Sequence, residues 1–182
     1  MRWTSLAVLI LVVSTRAEPP LKSGLDPNKR PGPYSSLVVV GQQRGTQHCY
    51  ICEAEDRPVM IVFARTPSEP LGKLVHGMDE ALKKNVAADL RGWVTFLAAD
   101  AGPLEAKVVD WSRKHATGNV PIAIFEDDLG PPAYRLSREA EVTVLLSVKQ
   151  KVVANFAFRQ GELNAAAIER MLMAISSTVS KK

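Results

Sequence analysis

The sequence predicts an α/β domain: a mixed central sheet with helices on both faces. Three observations carry this. Pro58–Ala64 is apolar at consecutive positions, the pattern of a strand buried on both sides. Strand-like and helix-like segments then alternate, as in α/β sheets. The chain closes on two strand-like runs and an amphipathic helix, which adds an antiparallel edge.

The elements follow in order. Ser36–Gly41 is a β-branched run that reads as the first strand. Gln42–Asp56 is a polar connection that contains a Cys-x-x-Cys pair, Cys49 and Cys52. After the strand Pro58–Ala64, Thr66 is placed to cap a helix, with Pro67 at its first position and Glu69 closing a capping box. Leu71, Leu74, Val75, Met78 and Leu82 recur at helical spacing on one face, which leaves His76 on the solvent side. Trp93–Ala98 is the next strand. Asp100 and Pro103 open a helix that runs to His115 with Leu104, Val108 and Trp111 inward. Val120–Phe125 is a strand, and Gly130–Tyr134 a stiff loop or short helical turn. Glu141–Val148 and Val152–Phe158 form a hairpin with a polar Lys-Gln-Lys tip. The last helix spans Leu163–Ser176, with Ile168, Met171, Leu172 and Ile175 inward.

The N-terminus belongs to a different class of segment. Arg2 precedes the apolar run Leu6–Val13, and Ser14-Thr15-Arg16-Ala17 ends it with small residues, the layout of a signal peptide over residues 1–17. The run is too short to span a bilayer permanently. An exported chain, periplasmic or extracellular, is therefore expected. Residues 18–34 hold five prolines and no apolar periodicity, which reads as an extended tether. With Arg2 and Arg16 removed, the 23 basic residues fall by two against 19 acidic ones, and net charge drops from +4 to +2. The cations are scattered without an aromatic-interleaved stripe, so nucleic acid is not an implied partner. No cofactor-binding motif is present.

From Val59 onward the chain resembles the thioredoxin-like superfamily in the broad form that includes peroxiredoxins. "VMIVFAR", "WVTFLAAD", "VDWSRKH" before "VPIAIFED", and "VTVLLSVKQKVVANFAFRQGEL" carry the likeness. With "GPPAY" and "HCYICEAEDRPVMIVFAR" the whole is similar to a group of exported bacterial thioredoxin-like proteins. The resemblance implies a thioredoxin-like three-layer sandwich over residues 35–178. It also implies where a redox site should lie, and there this chain departs from the pattern. Redox-active thioredoxins open the helix after the first central strand with their CxxC, and peroxiredoxins keep their reactive Cys near the same turn. Here that turn is Thr66-Pro67-Ser68-Glu69-Pro70, without sulfur. The position of the family's cis-proline reads Ala140-Glu141-Val142.

The Cys49–Cys52 pair instead precedes the strand, roughly 20 Å from the helix start by strand rise alone. Beyond the reach of that helix end, it depends on local groups. His48 is a candidate thiolate activator, with Arg44 and Arg57 nearby, while Glu53, Glu55 and Asp56 oppose a thiolate. Three uses stay open. A structural disulfide suits an oxidising compartment. A redox pair would use Cys49 as attacking thiol and Cys52 as resolving thiol, acting on the thiols or disulfide of an exported partner protein. A metal site would need a fourth ligand from His76 or His115, which the expected fold does not bring across, so no metal is assigned. Asp127-Asp128, after the strand Val120–Phe125, stands where α/β sheets place sites but reads more simply as a solvated turn. The competing function class is a redox-inactive binding or scaffold domain that keeps the fold.

Overall fold

The structure, a computed structural model, describes residues 19–179; residues 1–17, expected to be a signal peptide, lie outside the described residues. Among the described residues seven strands form one sheet in the order β2-β1-β5-β4-β3-β6-β7. They are β1 (Ser36–Val40), β2 (Gln47–His48), β3 (Val59–Ala64), β4 (Arg91–Leu97), β5 (Ile122–Phe125), β6 (Val142–Val148) and β7 (Lys151–Phe158). β3, β4 and β5 run parallel, whereas β1, β6 and β7 pair antiparallel with their neighbours, so the sheet is mixed as expected. Every residue of β3 is buried, which explains its unbroken apolar run.

Among the described residues four α-helices complete the fold: α1 (Tyr50–Ala54), α2 (Glu69–Lys84), α3 (Gly102–Lys114) and α4 (Ala165–Val179). The crossovers β3-α2-β4 and β4-α3-β5 step the same way along the sheet, and a common hand puts both helices on one face. Leu71, Leu74, Val75 and Met78 of α2, Val108 and Trp111 of α3, and Met171 and Ile175 of α4 share one core with Met60, Val62, Val94 and Phe96. The opposite face is covered differently, by Ala54 of α1, by Tyr134 and by Leu25 and Tyr34 of the N-terminal segment, packed on Ile61, Phe63, Trp93 and Leu145.

That last contact corrects the expectation of a tether. Leu25 and Tyr34 are buried, and the segment is bonded along its length. Ser23 Oγ meets Thr143 Oγ1 at 2.7 Å, and Asn28 N and Val152 N exchange bonds with Val152 O and Lys29 O at 2.8 and 2.9 Å. Asn155 Nδ2 donates to the carbonyls of Ser23 and Leu25. Prolines that deny the segment periodicity do not stop it from pairing with β7, whose edge it covers. Gly24, at φ +89°, makes the close pass possible: a Cβ there would lie 2.9 Å from Thr143 Cγ2.

The start of α2 is a second correction. Ser68, not Thr66, is the N-cap; its Oγ accepts from Leu71 N, and Pro70 occupies the first turn. Glu69 does not close a capping box but reaches Lys114 Nζ at 2.8 Å, and the Lys114 ammonium holds its carboxyl below the usual range. The hairpin matches expectation, with a tip of Lys149 and Gln150 at φ 48° and 59°, the left-handed pair of a two-residue turn. α4 begins after Asn164, whose Oδ1 accepts from Ala167 N.

Candidate functional site

The polar connection before β3 is more ordered than its composition suggests. β2 pairs with β1, Ser36 opposite His48, and so fixes the chain just ahead of Cys49. Cys49 is the N-cap of α1, and its carbonyl accepts from the backbone N–H groups of Cys52 at 3.1 Å and Glu53 at 3.2 Å. Sequence reading missed this helix because five residues hold too little periodicity to reveal one. Its signal was the pair Tyr50 and Ala54, one turn apart on one face. Ala54 is buried, and Tyr50 stacks on Trp93 with centroids 5.7 Å apart.

Cys49 and Cys52 are joined in a disulfide, and no cysteine is free. Cys49 is half-buried and Cys52 exposed. His48 adjoins the pair, but its Nε2 lies 2.8 Å from Glu53 Oε2 and its ring meets Tyr50 edge-on at 4.5 Å. The candidate activator is therefore tied to a carboxylate that opposes a thiolate. Behind it, Trp93 Nε1 donates to Tyr34 Oη at 2.8 Å, and Tyr34 Oη meets Thr95 Oγ1 at 2.9 Å. Burial, with the Glu53 charge adding to it, pushes the Tyr50 phenol up to about 12; burial likewise raises Tyr34 and Tyr134 well above a free tyrosine. All three remain neutral donors near neutral pH, so the aromatic bed under α1 is electrically quiet.

Of the other local cations, Arg44 pairs with Glu105 at 3.6 Å, and Arg57 pairs with Asp89 at 2.7 Å while its Nη1 donates to Glu53 O at 2.7 Å. Across the sheet, the turn that would hold sulfur in a redox thioredoxin is closed by a polar contact. Glu141 Oε1 accepts from Thr66 N at 3.0 Å and from Thr66 Oγ1, and Arg65 N donates to Glu141 O. His115 is buried at this far end, beside Glu69 at 3.5 Å and against Trp111 at 5.5 Å. His76 is exposed on α2. Neither is brought to the cysteines, and among the described residues no group of three or more His, Cys, Asp or Glu side chains could hold a metal ion. Asp127 and Asp128 form a turn: Asp127 Oδ1 accepts from Leu129 N, and Asp128 O from Arg65. Tyr134 of the Gly130–Tyr134 loop is fully buried and donates to Gly32 O at 2.8 Å.

The sheet order and the helix layers match solved structures of one fold. A candidate protein disulfide isomerase from Bacteroides thetaiotaomicron superposes with a TM-score of 0.65 at 16% identity, over 88% of this chain and 95% of its own. The fold is thioredoxin-like. A secreted Mycobacterium tuberculosis disulfide oxidoreductase homologous to E. coli DsbE gives 0.58 at 9% identity, over 79% and 95% of the two chains. Plasmodium vivax 2-Cys peroxiredoxin gives 0.59 at 12%, over 83% and 80%. No protein-family model and no curated protein matches the chain. Among the described residues no helix is long and apolar enough to cross a membrane.

Proposed function

We propose that this thioredoxin-like domain exchanges thiols and disulfides with partner proteins through Cys49 and Cys52, in an exported setting. The observation that carries the reading is the disulfide itself, at the solvent-facing start of a helix whose opposite side is packed on the sheet. A CxxC that opens a packed helix can gain and lose its bond without unmaking the core. Two fold neighbours named as disulfide-exchange proteins, one of them described as secreted, support both the chemistry and the compartment. The signal-peptide pattern of residues 1–17 agrees with the latter.

A second reading is favoured by the contact between Thr66 and Glu141. Hydrogen bonds fill the turn where the fold family keeps its reactive thiol. On that reading the domain binds partners and the disulfide is structural.

One experiment separates the two. The reduction potential of Cys49–Cys52 is measured, together with disulfide reductase activity of the wild type and of Cys49→Ser. A redox protein gives activity that the substitution abolishes. A potential below about −300 mV with no activity establishes the structural bridge.

A further inference from the structure

The usual assignment makes the first cysteine of a CxxC pair the accessible one. In this chain exposure runs the other way: Cys49 is half-buried and Cys52 exposed. The short helix explains why. Tyr50, Ile51 and Ala54 turn toward the sheet, so Cys52 and Glu53 turn out. Cys49, bonded to Cys52, directly follows β2 and is the less exposed of the two.

Beside Cys52 lies a groove of about 570 Å³, lined by Arg30, Pro31, Gly32, Pro33, Ile51, Cys52, Glu55 and Gln150. Cys49 is not among its walls. The groove is built from three segments tied to one another. Tyr134 Oη fixes Gly32 O, and the Lys29–Val152 pairing holds the approach to Arg30. Asp56, just past α1, accepts from Gln150 Nε2 at 2.8 Å and from Lys149 N at 3.2 Å. None of these ties involves the disulfide, so the groove persists when the bond opens.

We infer that Cys52, not Cys49, is the sulfur at which partners enter, and that the groove receives an extended, cysteine-bearing segment of the partner polypeptide. The inference rests on the redox reading above. The occupant follows from the wall: a segment lying there gains a covalent bond only if it presents a thiol to Cys52. In the step, the partner thiolate bonds to Cys52 Sγ, the Cys49–Cys52 bond breaks, and Cys49 leaves with the electron pair and takes a proton. A second thiolate of the partner then attacks the partner's own sulfur and releases Cys52 as thiolate. The partner dithiol is oxidised to a disulfide, and the pair is reduced by two electrons. His48 adjoins Cys49 in sequence, but its Nε2 is held by Glu53 Oε2 at 2.8 Å, and it takes no part in the step.

The test uses the oxidised full chain and reduced glutathione, a cysteinyl tripeptide of net negative charge. The reaction is quenched in acid at early times, free thiols are alkylated, and the adduct is mapped by mass spectrometry. Glutathione on Cys52 with alkylated Cys49 is expected. Glutathione on Cys49 overturns the inference and leaves the redox reading standing, whereas no adduct on either cysteine ends both. Arg30→Glu adds a second readout. With a carboxylate in place of the groove's cation, adduct formation slows several-fold; an unchanged rate overturns the groove as the route of entry.

Discussion

Thr66 and Glu141 close the turn at the C-terminal end of β3: one carboxylate oxygen of Glu141 takes both the backbone N–H and the hydroxyl of Thr66. This is the point at which a redox thioredoxin would present its thiol. The contact is a structural latch between the start of α2 and the start of β6. Glu141→Ala leaves two donors at a partly solvated site and lowers stability by about 1 kcal/mol. Because Cys49 and Cys52 lie beyond the other end of β3, the rate of glutathione exchange stays unchanged. Chemical denaturation and an exchange assay on the same variant check both halves.

The buried carboxylate of Asp79 gives a pH-dependent test of the helical face. Burial raises its pKa, but Lys83 Nζ at 2.7 Å and two Asn119 donors at 2.7 and 3.0 Å outweigh it and hold the group below the usual carboxylate range. A depressed folded-state value contributes stability that is full above the unfolded-state value and lost as pH falls through the folded one. Asp79→Asn therefore lowers stability by about 2 kcal/mol at pH 7, and the difference shrinks as pH falls below the ordinary range of Asp. Denaturation midpoints of both proteins from pH 7 to pH 2 measure it.

Leu25 tests whether the proline-rich segment belongs to the fold. It is 6% exposed and packs under the sheet with Tyr34 and Val152. Leu25→Ala costs about 2–3 kcal/mol, as for any core leucine, whereas a tether residue would cost nothing measurable. A thermal or urea unfolding curve decides it.

These cases also show what could be read in the residues alone. β3, α2 and the closing hairpin were legible because burial writes itself as periodicity or as an unbroken apolar run. Leu25 and Tyr34 were not, since single apolar anchors among prolines leave no period. The cap was ambiguous locally: Pro67 suits a start at Thr66 and Pro70 suits one at Ser68. The choice depends on Glu141, 75 residues away. The CxxC itself was plain, but not the helix that it opens or which sulfur faces solvent, because both follow from the packing of Tyr50 and Ala54 against distant strands.

Glu53 is predicted to restrain the pair. It bonds His48 and lies one residue beyond Cys52, so its charge opposes thiolate formation at both sulfurs. Glu53→Gln removes that charge and frees His48. Alkylation of the reduced protein by iodoacetamide should become roughly two- to threefold faster at pH 7. An unaltered or slower rate would show that Glu53 does not set the reactivity of the site.

The last prediction concerns what reduction does to the fold. A four-residue loop recovers little chain entropy when closed, about 2 kcal/mol in the chain-entropy model. The contacts that seat α1 do not depend on the bond: Tyr50 stacks on Trp93, Ala54 is buried, Arg57 Nη1 donates to Glu53 O at 2.7 Å, and Asp56 ties to the hairpin tip. The reduced protein should therefore remain folded, with its unfolding free energy lower by no more than that amount, seen as a lower denaturant midpoint at an unchanged slope. Paired unfolding curves with and without reductant, followed by tryptophan fluorescence, test this. A smaller slope or a lost transition on reduction would mean that the disulfide holds the structure together, which is what a structural bridge does and an exchange site cannot do.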